Sequence, residues 1–212
     1  MPKWDKFLAG DRLIERRTEV RDSTTIVIAT EGRRTEKDYF NKFGSTQIKL
    51  EILETGKDGL SDPKYVLDRL VDRLKLDDID IAAGDSCWIV IDVDDRTNEH
   101  LAQICERASE MGFGVAISNP CFEYWLYLHQ FEPKELPSMV YDADQEKRAG
   151  AMKGLPPYEY RRLRFVEFRK DVNSAIARAK QNRQGGQSCI PKCPGTDVFK
   201  LVRMLPVKPP GY

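Results

Sequence analysis

Two short, unbroken apolar runs, each stopping abruptly at acidic residues, constrain this chain more than any other feature. Thr24-Thr-Ile-Val-Ile-Ala29 halts at Thr30-Glu31-Gly32, and Cys87-Trp-Ile-Val-Ile91 halts at Asp92-Val-Asp-Asp95. A strand with one wet face alternates apolar and polar side chains. A continuous β-branched run therefore suits a strand covered on both faces. Such strands lie in parallel sheets, where the crossover helices supply the cover.

The remaining pattern provides those helices. Thr35-Glu-Lys-Asp38 opens one, with Tyr39, Phe40 and Phe43 as its apolar stripe. Ile48–Leu53 alternates as a second strand, and Pro63 starts a helix that runs to Leu76 on Val66, Leu67, Leu70, Val71 and Leu74. A helix over Asn98–Met111, a strand over Phe113–Ile117 and a very apolar helix over Pro120–His129 follow. Strands alternating with helices predict an α/β domain with a mainly parallel sheet of about four strands flanked by helices. After His129 the chain is loop-rich and proline-rich, then suits a long helix from Tyr158 to Arg183 and a short one from Thr196 to Met204. The predicted organisation is an N-terminal arm over 1–23, an α/β core over 24–130, and a helical, basic C-terminal extension over 131–212 that packs on the core.

Composition narrows the class. With 41% hydrophobic and 32% charged residues the chain reads as soluble and globular. No stretch approaches the roughly 18 apolar residues of a membrane span. The start, Met1-Pro-Lys-Trp-Asp-Lys, lacks the apolar core of a secretory signal, so a cytoplasmic location is expected. Cys87, Cys105 and Cys121 sit inside apolar patterns. Cys189 and Cys193 form a C-x3-C pair with no second ligand pair nearby, so zinc is not expected. Nor is an organic cofactor. A net charge of zero conceals an acidic middle and a basic later part. Asp77–Glu99 holds eight acidic residues and one basic, while Gln145–Arg183 holds eleven basic and four acidic. One part could hold cations and the other polyanions; two solvated helical faces are the plainer alternative.

In open α/β sheets ligands bind beyond the carboxyl ends of the strands, and both acidic turns lie there. In extended chain, residues two apart point the same way, so Asp92 and Asp94 can aim at one point. Glu31 joins them if the first and third strands are neighbours. Hard carboxylate oxygens of this kind suit Mg²⁺ or Mn²⁺. The competing explanation is helix capping, by Asp95 or Thr97 in particular. Glu36 is either a further carboxylate of the site or half of a capping box. Glu123, in a first helical turn, either joins the site or complements the helix dipole. Asn119, at the end of the fourth strand, and His129, at the end of the apolar helix, are further candidates. Arg33 and Arg34 either hold a phosphate or form a solvated basic pair. The long helix carries Arg161, Arg162, Arg164, Arg169, Lys170, Arg178, Lys180 and Arg183, read as the basic outer face of a lid that attracts a phosphate backbone. Arg161, Arg162, Arg164 and Lys170 are its candidate nucleic-acid contacts. Phe122, Tyr124, Trp125, Leu126 and Leu128 read as core and not as a base-stacking platform.

Three segments carry a more specific likeness. Ile26-Val-Ile-Ala-Thr-Glu-Gly-Arg-Arg-Thr-Glu-Lys-Asp-Tyr-Phe40, Ile89-Val-Ile-Asp-Val-Asp-Asp95 and Ser118-Asn-Pro-Cys-Phe-Glu-Tyr-Trp-Leu-Tyr-Leu-His129 together resemble the RloB family, and Pro194-Gly-Thr-Asp-Val-Phe-Lys-Leu-Val202 extends the match. RloB proteins are found beside restriction and abortive-infection loci in prokaryotes, and in turn resemble Toprim domains. The Toprim pattern is a Glu-Gly after the first strand and an Asp-x-Asp after the third. That resemblance implies a general acid/base or ligand role for Glu31 and a metal-ligand role for Asp92 and Asp94. It also implies a metal-dependent nuclease acting on DNA or RNA in anti-phage defence, with an AAA- or ABC-type ATPase as partner. One departure stands out: Toprim Asp-x-Asp motifs commonly run toward a glycine, whereas Asp95-Arg96 follows here. The rival readings are a non-catalytic Toprim-like subunit and a phosphoryl-transfer enzyme acting on small nucleotides. A Gly-x4-Gly-Lys-Ser/Thr loop is absent from the sequence, which argues against an NTPase.

Overall fold

The computed structural model describes residues 23–56, 60–76, 79–155, 165–183 and 188–206, with the main chain alone at 146 and 165–170. The apolar runs become strands β1 (Thr24–Thr30) and β3 (Ser86–Asp92), joined in one sheet by β2 (Ile48–Leu53) and β4 (Gly114–Asn119). The sequence pattern predicts about four strands, and the structure adds a fifth. This is β5 (Gly195–Thr196), a two-residue edge strand with too little pattern to be read from sequence. The order is β2-β1-β3-β4-β5, parallel throughout except for β5, which runs antiparallel to β4. The first and third strands are neighbours, with Thr30 level with Val90. The strand order reverses direction at β1, so the crevice of this sheet opens between the ends of β1 and β3.

Period-two alternation divides the core between the two faces of the sheet. Val27, Ala29, Ile89 and Ile91 pack against α2 (Pro63–Leu74) and α3 (Asn98–Glu110). Ile26, Ile28, Val90 and Ala116 pack on the other side. That layer holds α1 (Thr35–Phe40), α4 (Phe122–Tyr127), α5 (Ser138–Tyr141), α6 (Gln145–Lys153), α7 (Phe165–Asn182) and α8 (Val198–Val202). Phe122, Tyr124, Trp125, Leu126 and Leu128 are all buried there, as a core and not as a platform for bases. Each fully buried large side chain contributes roughly 1.5–3 kcal/mol, so the aromatic cluster of Tyr39, Phe40, Phe122 and Trp125 is a major stabiliser of this layer. Pro63 at N1 and Asp62, whose side chain accepts the Lys64 N–H, start α2. Thr97 caps α3 by accepting the His100 N–H.

The segment that follows α7 closes the sheet edge. Asp197 is 1% exposed and ion-paired to Arg183 (2.9 Å) and Lys200 (3.1 Å), while its N–H donates to the Ile117 carbonyl. Ser118 and Thr196 share a buried hydroxyl hydrogen bond of 2.9 Å. The helix expected from Tyr158 is described from Phe165, and the expected N-terminal arm lies outside the described residues but for its last residue, Ser23. Cys189 and Cys193 part company. Cys189 packs on the α2–α3 side, within hydrogen-bond reach of Cys105, whereas Cys193 meets Arg148. Among the described residues no helix is long and apolar enough to cross a membrane.

Candidate metal centre

Glu31 follows β1 directly, and Asp92 is the last residue of β3. The two meet across the crevice, where Glu31 Oε2 accepts the Asp92 N–H at 3.0 Å. Two residues beyond Val90 in an extended strand, Asp92 faces the same layer as Val90, the one built from α1, α4 and α6. Those helices bring Glu36, Glu123 and Lys153. Asp94 arrives by a different route from the one alternation predicts. Its backbone is left-handed (φ 46°) and not extended, and its N–H donates to the Pro120 carbonyl at 3.0 Å. Aspartate tolerates this conformation better than most residues. The turn is stitched further by the Val93 N–H on the Ser118 carbonyl (2.8 Å).

The electrostatics are those of a crowded carboxylate cluster. Burial pushes Asp92 well above the usual carboxylate range; Glu31, Glu36 and Glu123 push it further, and Lys153 pulls it back. Asp92 Oδ1 is closed off from solvent and has no hydrogen-bond partner. Burial likewise raises Glu31, against the charge of Arg96 and the hydrogen bonds from Asp92 and Arg96. Glu36, 5% exposed, is pushed up to about 7 by burial, with Glu123 and Glu31 adding to the shift. For Lys153, burial works downward, but Glu123, Cys121, Asp92 and Asp94 outweigh it and the ammonium pKa rises. Like charges gathered this closely in a low-dielectric crevice destabilise one another unless a proton or a cation intervenes.

Local structure explains the placements. Glu36 reaches back so that Oε1 accepts the Gly32 N–H at 3.1 Å; this is not the expected capping box, because the N-cap is Arg34 and makes no side-chain cap bond. A Cβ at Gly32 would meet the Glu36 carboxylate, which would have to move aside. Arg33 and Arg34 are exposed; Arg33 donates to the Gly56 carbonyl at 2.6 Å. Asn119 donates to the Pro191 carbonyl (2.9 Å) and so holds the chain before β5. His129 is 1% exposed. Its Nδ1 meets the Trp125 carbonyl at 3.0 Å and its Nε2 the Tyr39 hydroxyl at 3.2 Å. Burial lowers its pKa to about 4, which marks a neutral core histidine.

The basic helix corrects one reading. Arg178 turns inward onto Glu132 (2.8 Å) and the Leu128 carbonyl (2.8 Å), and Arg183 onto Asp197, so both clamp the fold and do not line an outer face. Arg161, Arg162 and Arg164 lie outside the described residues, as does the side chain of Lys170. Sequence reasoning missed Lys153, whose only signal is its place at the end of a weakly patterned helix. It also missed Arg96 as a partner: Nη2 is 2.8 Å from Glu31 Oε1. Among the described residues no three His, Cys, Asp or Glu side chains stand ready to hold a metal ion.

A model of the RloB-like protein family matches residues 26–205, most of the chain. The chain belongs to the RloB-like family. No curated protein and no solved structure matches it. In this RloB-like chain the matched span runs from β1 past α8, so it includes every carboxylate of the cluster together with Arg96 and Lys153.

Proposed function

We propose that this RloB-like protein is a Mg²⁺- or Mn²⁺-dependent nuclease with a Toprim-like site, hydrolysing phosphodiester bonds of DNA or RNA. A role in prokaryotic anti-phage defence as effector of a partner ATPase is part of the same proposal and rests on the family resemblance. The observation that carries the metal reading is the buried Asp92 Oδ1, without a hydrogen-bond partner amid Glu31, Glu36 and Glu123, with Asp94 acting on the neighbouring Glu31 and Lys153. An oxygen in that position fits a divalent cation, because hard carboxylate ligands are what such ions take. Asp92 and Asp94 would hold the ion, with Glu36 and Glu123 as further ligands or as acceptors for its waters. A cation so held polarises a phosphoryl oxygen and acidifies a bound water. Glu31, beside Asp92, is suited to take a proton from the attacking water. Lys153 and Arg96 are the cations within reach of the cluster, fit to bind the added negative charge on phosphate. Arg33, Arg34, Arg161, Arg162, Arg164 and Lys170 would hold the backbone of the nucleic acid.

Purified protein incubated with Mn²⁺ and with single-stranded DNA, duplex DNA or tRNA is expected to cleave at least one of them. Asp92→Asn and Asp94→Asn should each lower the rate by ~10³-fold, since the metal contributes several kcal/mol to the transition state. Unchanged cleavage in both variants would sink the site. The non-catalytic subunit is favoured by one observation, that Glu31 is already occupied by Arg96. That reading predicts no cleavage with any of these substrates, even with the partner ATPase present, from a protein whose melting temperature is normal.

A further inference from the structure

Both carboxylate oxygens of Glu31 are engaged. Oε1 accepts Arg96 Nη2 at 2.8 Å, and Oε2 accepts the Asp92 N–H at 3.0 Å. The pair is shielded, the Arg96 and Glu31 side chains being 14% and 12% exposed. Arg96 is held at both ends. Its Nη1 lies 3.4 Å from the Asp92 carbonyl, and its own carbonyl accepts Gln145 Nε2, at the start of α6, at 3.0 Å. Asp92 Oδ1, on the neighbouring strand end, has no partner. Glu31 therefore carries a bonded guanidinium, whereas Asp92 feels the charge of Lys153 but its Oδ1 makes no hydrogen bond.

A guanidinium does not shed its charge near neutral pH. A divalent ion drawn to Asp92 and Asp94 would meet Arg96 in a site that screens charge poorly, and the two cations compete for Glu31. Thr97 caps α3 directly after Arg96, so the backbone there is fixed and the movable part is the arginine side chain. The departure of Asp95-Arg96 from a glycine-bearing turn places this side chain within reach of the cluster.

The geometry points to Arg96 as a latch: it holds Glu31 while no divalent cation is bound, and must release it before Glu31 can serve the cation or the water beside it. Once released, the guanidinium fork presents two N–H donors toward the crevice, a shape that suits two oxygens of a phosphate. Arg96 is thus a positioning residue acting through Glu31. The latch rests on the metal-dependent reading, and the test separates the two.

Mn²⁺ binding to the full chain is followed by the electron paramagnetic resonance signal of free Mn²⁺, for wild type, Arg96→Gln, Glu31→Gln and the double variant. Melting is recorded alongside in EDTA and in Mn²⁺. Arg96→Gln is expected to bind Mn²⁺ roughly tenfold more tightly than wild type. It should melt lower in EDTA, because Glu31 is left buried and unpaired, and regain more on adding Mn²⁺. In the Glu31→Gln background the arginine change should raise Mn²⁺ affinity much less, because only the direct repulsion between the two cations is then relieved. Arg96→Lys, which keeps the charge and loses the fork, should fall between, and serves if the glutamine variant does not fold. Equal or weaker binding by Arg96→Gln overturns the latch and leaves the metal site standing. No binding by any form overturns the metal reading, and the latch with it.

Discussion

At the scale of single residues, protonation decides the stability of the carboxylate cluster. Glu36 shows the sign. In the fold it keeps its proton up to about pH 7, whereas an ordinary glutamate releases it near 4.5. Between those values the folded state binds more protons, so the Glu36 contribution is fully present below pH 4.5 and is lost as pH rises toward 7. Glu36→Gln keeps the acceptor for the Gly32 N–H and cannot ionise. In EDTA, its stability relative to wild type should grow across that window by about 3 kcal/mol, read from urea denaturation at several pH values. Parallel pH profiles would remove Glu36 from the cluster. His129, equally buried, shows how a chemically suggestive residue can be spent on structure, since both nitrogens meet core partners.

At the scale of elements, the turn between β1 and α1 brings the Glu36 carboxylate against Gly32. The Glu36 carboxylate occupies the space a Cβ would take. Gly32→Ala is therefore expected to cost about 1–3 kcal/mol, as overpacking of a tight site does. It should also weaken Mn²⁺ binding, because Glu36 must swing away. Chemical denaturation and Mn²⁺ titration of this variant check both; full stability and unchanged affinity would show that Glu36 has room elsewhere. The turn after β3 is held differently, by a left-handed Asp94 and by backbone bonds to Ser118 and Pro120. Those bonds couple the aim of Asp94 to the end of β4 and to the start of α4, where Glu123 sits.

At the scale of the whole molecule, the sheet edge is finished by a segment distant in sequence from β4. Asp197 joins α7 through Arg183 and its own helix α8 through Lys200, while its N–H docks on β4. Removing one member of a buried pair strands the other charge. Asp197→Ala is thus expected to destabilise the fold by about 3 kcal/mol, discounted for the partial exposure of Lys200. A shift in urea midpoint with unchanged slope is the check. A loss below about 0.5 kcal/mol would mean that solvent replaces the pair. The same segment belongs to the family match, and its work here is architectural.

The alternation of apolar runs with helical periodicity determined the α/β class, the parallel β1–β4 sheet and the placing of Glu31 and Asp92 at strand ends. These are local patterns, written in side chains a few positions apart. The basic helix misled at Arg178 and Arg183, and extended alternation gave the wrong backbone for Asp94, for one reason: spacing says nothing about which distant group a residue meets. Only the tertiary structure decided that Cys189 lies by Cys105, that Arg178 and Arg183 turn inward, and that Lys153 faces the acids. It alone set Arg96 on Glu31, because that contact spans 65 positions and forms only when β1 and β3 pair.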